Sequence, residues 1–198
     1  MHGAIPTRSI SWGDMNHIEQ EIIHHTRQWV SQVVIGMGFC PFAAKPFQED
    51  RIRYVVLTDG SLQHLLERVI REAYHLDEHP DTETTLILLP DQYPDFLDYL
   101  DVLDLAEQLL IDQDYEGIYQ IASFHPLYQF ADTAPDDPAN YTNRSPYPML
   151  HLIREASITR VLEHYPDPES IPERNRALTR EKGLVAMMAL REACLSGQ

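Results

Sequence analysis

The chain has few cysteines, few basic residues and no long apolar run. Its 198 residues contain two cysteines, Cys40 and Cys194, without the spacing of a CxxC or Cys/His zinc motif. We therefore expect no disulfide framework, and a reducing, cytoplasmic setting. No apolar run approaches the roughly 18 residues that a membrane helix requires, and the first residues lack the apolar core of a signal peptide. We expect a soluble protein.

Positive charge is scarce as well. Lys and Arg total 15 against 31 Asp and Glu, which gives a formal charge of -16. This charge repels phosphate backbones and anionic membrane surfaces, so it predicts neither nucleic acid nor a membrane as a partner. Nine acidic residues and no Lys or Arg lie between Asp91 and Glu116. We interpret this stretch as a solvated helix face, with the docking of a basic protein partner as the alternative.

Helical and β-rich segments alternate along the chain. After a loose arm over residues 1–15, apolar spacing predicts a helix from Asn16 to Ile35. The β-rich runs RIRYVVLTDG, TTLILLP and GIYQIASFHP alternate with two further helices. The first runs from Ser61 to about Glu78 and is expected to turn its apolar residues inward, namely Leu62, Leu65, Leu66, Val69, Ile70 and Ala73. The second runs from Pro94 to about Asp112.

The C-terminal part is predicted to be rich in helix. One helix is expected from Ser145 to about Glu163, and a last one ends near Ala193. The order of elements implies right-handed crossovers. We therefore predict that residues 16–198 form a single α/β (or α+β) domain, with a small, partly parallel sheet of about three strands flanked by helices.

A long irregular segment follows the third predicted strand. Structureless loops beyond about 12 to 15 residues are uncommon unless they are functional or disordered, and aromatic residues such as Tyr128 argue against disorder. Ligands of open α/β sheets bind at the carboxyl ends of the strands. Residues 124–148 are thus predicted to roof a pocket at that edge, where the three strands would deliver Thr58, Asp59, Ser61, Asp91, Ser123 and His125.

The leading hypothesis is an enzyme that acts on a small anionic metabolite, a carboxylate or a phosphate. His125 or His151 would move a proton, and Arg144 and Arg154 would clamp the anion. The first-turn amide groups of the helix predicted at Ser145 would assist them. The structural alternative is that His151 caps or packs and that Arg154 pairs with a neighbour.

Further candidates lie in GMGFCPFAAKP and in the irregular segment. Cys40, with Lys45 nearby, is a nucleophile if a cation or a histidine lowers the pKa of its thiol, and otherwise a small buried hydrophobe. Tyr128, Asn143 and Lys45 complete the predicted substrate-binding set. The sequence names no cofactor.

Two other functions stay open. One is a non-catalytic module, in which the same pocket senses a metabolite or the acidic helix recruits a protein; a protein partner or a homo-oligomer fits this alternative. Alternatively, His125, His151 and one carboxylate from Asp132, Asp136 or Asp137 would form the two-histidine, one-carboxylate site of a metalloenzyme.

Four blocks of sequence carry a family resemblance: GFCPFA, ASFHPLYQFAD, NYTNRSPYPMLHLIREASI and IPERNRALTREKGL. In these blocks the chain resembles the bacterial domain-of-unknown-function family 1415, over roughly Glu19 to Leu184. The resemblance implies a soluble bacterial protein. The family carries no established activity, so it adds no catalytic assignment.

Overall fold

The computed structural model describes residues 12–58, 60–163 and 165–196. The predicted arm falls mostly on residues 1–11, which lie outside the described residues, and the first helix begins at Trp12 rather than at Asn16. The elements are α1 (Trp12–Trp29, extended by π-helical turns over Val30–Ile35), α2 (Ala44–Gln48), β1 (Ile52–Val56), α3 (Leu62–Glu78), β2 (Thr84–Leu88), α4 (Phe96–Asp112), β3 (Tyr119–Phe124), a 3-10 turn (Pro138–Thr142), β4 (Met149–Arg154), α5 (Glu155–Leu162), a 3-10 turn (Pro168–Ser170), α6 (Ile171–Lys182) and α7 (Leu184–Ala193).

Local capping residues fix where the two central helices begin. The Ser61 hydroxyl accepts a hydrogen bond from the His64 amide at 3.2 Å, which confirms Ser61 as the N-cap of α3. The Asp95 carboxylate accepts from the amides of Leu97 and Asp98 at 2.8 and 3.3 Å and begins α4 in the same way. Each cap satisfies amide groups that have no partner within the helix. None of the described helices is both long and apolar enough to span a bilayer.

The four strands form one mixed sheet in the order β1-β2-β4-β3. β1 and β2 are parallel, and β4 is antiparallel to both β2 and β3. The three predicted strands therefore run in one direction, and a fourth strand runs in the opposite direction between two of them. The predicted partly parallel α/β sheet is confirmed, with four strands rather than about three. Val56, Leu88 and Phe124 end the three strands at one edge, where β4 begins at Met149.

The helix predicted from Ser145 to Glu163 is wrong over its first ten residues. Met149–Arg154 is strand β4, and helix α5 begins only at Glu155. A central strand covered on both faces reads as a nearly continuous apolar run, which periodicity does not separate from a buried helix. His151 and Arg154 consequently point to opposite faces of the sheet, since side chains alternate along a strand. The last predicted helix is also interrupted, at Gly183, whose φ of 84° ends α6.

Apolar residues cover both faces of the sheet. Ile87, Leu150 and Leu152 pack on one face with residues of α3 and α4. Leu86 and Met149 pack on the other face with residues of α1 and α7. Because β2 and β4 supply residues to both clusters, the central strands are held from the two sides.

Arg154 ties the end of β4 to the end of α3. Its guanidinium donates hydrogen bonds to the carbonyls of Leu76 and, at 3.0 Å, Thr82, and to the Tyr119 hydroxyl at 3.2 Å. A longer contact of 3.4 Å reaches the His79 carbonyl. Carbonyl groups at a helix C-terminus lack partners within the helix, so Arg154 satisfies them from a neighbouring strand.

Replacing Arg154 by alanine should destabilise the fold. The variant leaves the carbonyls at the end of α3 without their donor, and we expect the free energy of unfolding to fall by about 2–4 kcal/mol. Urea denaturation followed by circular dichroism measures it. Arg71→Ala is the control. The Arg71 side chain is 66% exposed, and its ion pair with Glu67 is long, at 4.0 Å, so its removal should change the free energy of unfolding by less than about 0.5 kcal/mol. Equal stabilities for the two variants would contradict this role.

Candidate functional site

The carboxyl edge of the sheet collects several of the predicted residues. The strand registers bring the chain after β1, β2 and β3 to this edge, and with it Thr58, Asp91 and His125. Asp59 lies outside the described residues. Residues 124–148 connect the end of β3 to the start of β4 at this edge. The contacts of each side chain therefore decide what this edge can do.

His125 is enclosed and hydrogen-bonded at both ring nitrogens. Its side chain is fully buried. Nδ1 accepts a hydrogen bond from the Leu127 amide at 3.0 Å, so Nε2 carries the proton and donates to the Tyr93 carbonyl at 2.9 Å. Burial lowers the pKa of His125, and the rings of Phe96 and Tyr99 pack against it. In this state His125 fastens the start of the segment to the loop before α4.

The predicted substrate-binding residues of the segment hold its own backbone. Arg144 donates to the carbonyls of Tyr128 at 2.9 Å and Pro135 at 2.8 Å. Asn143 donates from Nδ2 to the Ser123 carbonyl at 3.1 Å, and its own carbonyl accepts from the His125 amide. These hydrogen bonds occupy polar groups that were predicted to bind an anionic substrate. The Tyr128 ring packs against the Phe96 ring, with centroids 5.1 Å apart and planes inclined by 55°.

Contacts that the sequence did not reveal explain why so long a segment is ordered. Asn140 is fully buried, and its Oδ1 accepts from the Phe130 amide and the Thr133 hydroxyl. Two arginines of α6 pair with carboxylates of the segment: Arg176 with Asp132 at 2.6 Å, and Arg180 with Asp137 at 2.8 Å. These guanidinium groups lower the pKa of both carboxyls. Basic residues that cluster in α6 thus form ion pairs with acidic residues of the segment 124–148.

His151 lies on the opposite face of the sheet from His125. The Thr84 hydroxyl donates to the Leu152 carbonyl at 2.5 Å, so its oxygen accepts from His151 Nε2 at 2.7 Å and Nδ1 stays unprotonated. Burial lowers the pKa of His151 to about 4. The His151 ring faces Phe124 on the α1 side, whereas the His125 ring faces α4. The structure does not bring the two histidines together.

The two predicted anion-binding arginines lie at opposite edges of the sheet. Arg144 precedes β4 at the carboxyl edge, and Arg154 ends β4 at the other edge. Six strand residues separate these edges by about 17 Å. Both guanidinium groups are occupied by backbone carbonyls. They do not form one clamp.

Cys40 lies among apolar groups after the end of α1. Burial raises the pKa of its thiol, in spite of two backbone hydrogen bonds that lower it. The adjacent Phe39 carbonyl accepts from Asn175, and the Gly38 carbonyl accepts from Arg174, which anchor this turn to α6. Lys45 is exposed on α2. A raised thiol pKa favours the packing interpretation of Cys40 over the nucleophile. Among the described residues, no group of three or more potential metal ligands occurs.

A groove between α3 and α4 is the site that the sequence did not predict. Two adjoining cavities of about 680 Å³ each run along it and share Ile70, Arg71 and Gln113. We call it the α3–α4 groove; its remaining lining residues are Leu62, Gln63, Leu66, Glu67, Tyr74, His75, Glu78, His79, Leu109 and Tyr115. Leu62 was expected to face inward but is 40% exposed, and Tyr74 is 60% exposed. The sequence did contain a signal for this groove: the apolar residues of α3 form a stripe too wide for the sheet to cover completely.

Acidic residues of α4 lie on the same helix face as one residue of the groove lining. Glu67, Glu78 and Arg71 line the groove itself. Leu109 also lines it, and helical periodicity sets Asp98, Asp101, Leu105 and Asp112 on the exposed face of α4 that carries Leu109. Within the described part of the chain, no basic side chain forms an ion pair with these three carboxylates. We call them the acidic rim.

The fold and these surfaces define a mixed α/β domain whose long loop is hydrogen-bonded to the rest of the fold and whose open groove lies on the helical side. The family model described as Protein of unknown function (DUF1415) matches residues 21–189. The chain therefore belongs to this family, as the four sequence blocks predicted. No curated protein and no solved structure matches the chain.

The Cys40 thiol should be unreactive. Because burial raises its pKa, iodoacetamide should modify it slowly at neutral pH, with an apparent pKa above the ordinary value of about 8.5. A Cys194→Ala variant leaves Cys40 as the one thiol, and the variant unfolded in urea supplies the reference rate. A pKa below about 7 in the folded protein would restore the nucleophile hypothesis.

The free energy of unfolding should depend on pH through His151. Its pKa is about 4 in the folded state and near 6.5 in the unfolded state, so the unfolded state alone gains a proton as pH falls between these values. Stability is therefore full above pH 6.5 and decreases toward pH 4, by up to about 3 kcal/mol. His125 contributes with the same sign.

Urea denaturation between pH 4 and 8 measures this loss. His151→Gln removes one titrating group and should make the profile shallower, while His17→Gln, at an exposed position on α1, should leave its steepness unchanged. A profile of equal steepness in His151→Gln and the wild type would show that the ring takes up its proton without cost in the folded state.

Proposed function

We propose that the chain is a protein-binding module whose α3–α4 groove receives a basic, amphipathic helix of a partner protein. The observation that carries this proposal is an exposed apolar stripe beside an acidic rim. The polar groups of His125, Asn143 and Arg144 are meanwhile engaged inside the fold. Of the functions considered from the sequence, the non-catalytic binding module has the most support, and the enzyme hypotheses stay predictions.

The dimensions of the groove suit a helix. The groove follows α3, whose 17 residues extend over about 25 Å. Leu62, Leu66, Ile70 and Tyr74 recur every fourth residue along it and offer successive apolar contacts. Amphipathic helices bind such grooves through anchors at i, i+3, i+4 and i+7. Exposed apolar surface bordered by polar groups is typical of a protein interaction site.

Charge selects the partner. The acidic rim lies beside the apolar contacts, and the whole chain carries a formal charge of -16. This field accelerates the approach of a cationic segment and repels an anionic one, so it supports a basic protein partner over nucleic acid. Two copies of this chain that met through the groove would bring two acidic rims into one interface. A different protein is therefore the better occupant.

A designed peptide tests the groove. The probe is a 17-residue helix with leucines on one face and lysines beside them, and its control has glutamate in place of every lysine. Fluorescence anisotropy should show binding of the lysine peptide alone, weaker as salt is raised. Leu62→Glu and Tyr74→Glu should each weaken binding by at least about tenfold, because each sets a charge against the apolar face of the peptide.

Val185→Glu is the matched control for these variants. Val185 is 80% exposed on α7, away from the groove, and the substitution adds the same charge. Its binding should equal that of the wild type. Equal affinities for Val185→Glu, Leu62→Glu and Tyr74→Glu would mean that the peptide binds through net charge alone, and the proposal would then be wrong.

A further inference from the structure

Aromatic rings line the α3–α4 groove at the C-terminal end of α3. Tyr74, His75 and His79 belong to this end of the helix, and Tyr115 follows α4. The two histidine rings stack on each other, with centroids 4.0 Å apart and planes inclined by 15°. Tyr74 is 60% exposed, so its ring is accessible to a ligand. We call these four residues, together with Glu78, the aromatic end of the groove; the cavity that they line measures about 680 Å³.

A carboxylate of α3 fixes the position of the Tyr115 ring. The Tyr115 hydroxyl donates to Asp77 Oδ2 at 3.0 Å, and the Tyr119 hydroxyl donates to Oδ1 of the same carboxylate at 2.6 Å. Burial and this carboxylate raise the pKa of Tyr115, so its hydroxyl keeps the proton that it donates. A phenol that donates to an anion has an electron-rich ring, and the face of such a ring attracts a cation. Tyr115 is therefore held in place before a partner binds.

Negative charge at the aromatic end has no counterion among the described residues. Glu78 lines the cavity and is exposed, and Asp77 is the next residue along the chain. No basic side chain of the described ranges forms an ion pair with either carboxylate. Arg71 also lines the cavity, but its guanidinium is paired with Glu67 at 4.0 Å. Two unpaired carboxylates beside aromatic rings favour a positively charged group of a ligand.

We propose that the aromatic end binds an arginine side chain of the partner helix, whose guanidinium stacks on a tyrosine ring and pairs with Glu78. The inference rests on the proposed function and adds which residue of the basic helix the groove selects. Arginine suits this site better than lysine, because its guanidinium is planar, is weakly hydrated and stacks on aromatic faces. It also pairs with a carboxylate through two N–H groups at once, which an ammonium group does not.

Peptides of equal charge test this selection. The probe is the 17-residue lysine peptide of the groove experiment, with the lysine nearest one end replaced by arginine, and a second peptide carries the replacement at the other end because a helix can lie in the groove in two directions. One of the two arginine peptides should bind the full chain at least about threefold more tightly than the lysine peptide. Tyr74→Leu and Glu78→Gln should each abolish this preference. The preference is a ratio of two affinities, so a general loss of affinity in a variant does not alter it.

Glu181→Gln is the matched control, because Glu181 is exposed on α6, outside the groove, and the substitution removes the same charge as Glu78→Gln. It should keep the preference for arginine. If both arginine peptides bind only as tightly as the lysine peptide, or if Glu78→Gln and Tyr74→Leu keep the preference, the inference is overturned while the groove remains a binding site. If the lysine peptide itself does not bind, the proposed function fails and this inference fails with it.

Discussion

The two hydrogen-bonded ladders of β4 are the constraint on which the rest of the structure depends. β4 lies between β2 and β3 and pairs with both, so β3 joins the sheet only through it. Leu150 and Leu152 belong to the core under α3 and α4, and Met149 to the core under α1. At its end, Arg154 holds the C-terminus of α3. Six residues thereby fix the sheet order, both cores and the helix that lines the groove.

Sequence periodicity predicted the elements whose local signals and tertiary positions agree. Strands β1 to β3 and helices α3 and α4 were found because capping residues such as Ser61 mark their starts and apolar periods run through them. β4 was missed because Pro146 and the apolar run Met149 to Ile153 imitate the start of a helix. Only pairing on both sides decides between strand and helix there, and that pairing is not local.

The same limit applies to the candidate site. Histidine, arginine and asparagine in a loop are the residues of catalysis, and they are also the residues that satisfy buried backbone groups. His125 was predicted as an acid/base, and Asn143 and Arg144 as substrate-binding residues, and in the structure each is bonded to backbone of the fold. Which of the two roles a side chain has depends on what lies within 3 Å of it, and a single sequence contains no such distance.

The groove is informative because part of its apolar surface lies outside the core, although Leu66 and Ile70 also pack against that core. Leu65, Val69 and Leu76 are at most 1% exposed and suffice to pack α3 on the sheet. Leu62 and Tyr74 lie outside that contact, where burial adds little to folding and exposure to water has a cost. Apolar residues that recur every fourth position, near carboxylates that form no ion pair with a described basic residue, are poorly suited to a free surface. They are well suited to one that a cationic, apolar helix covers.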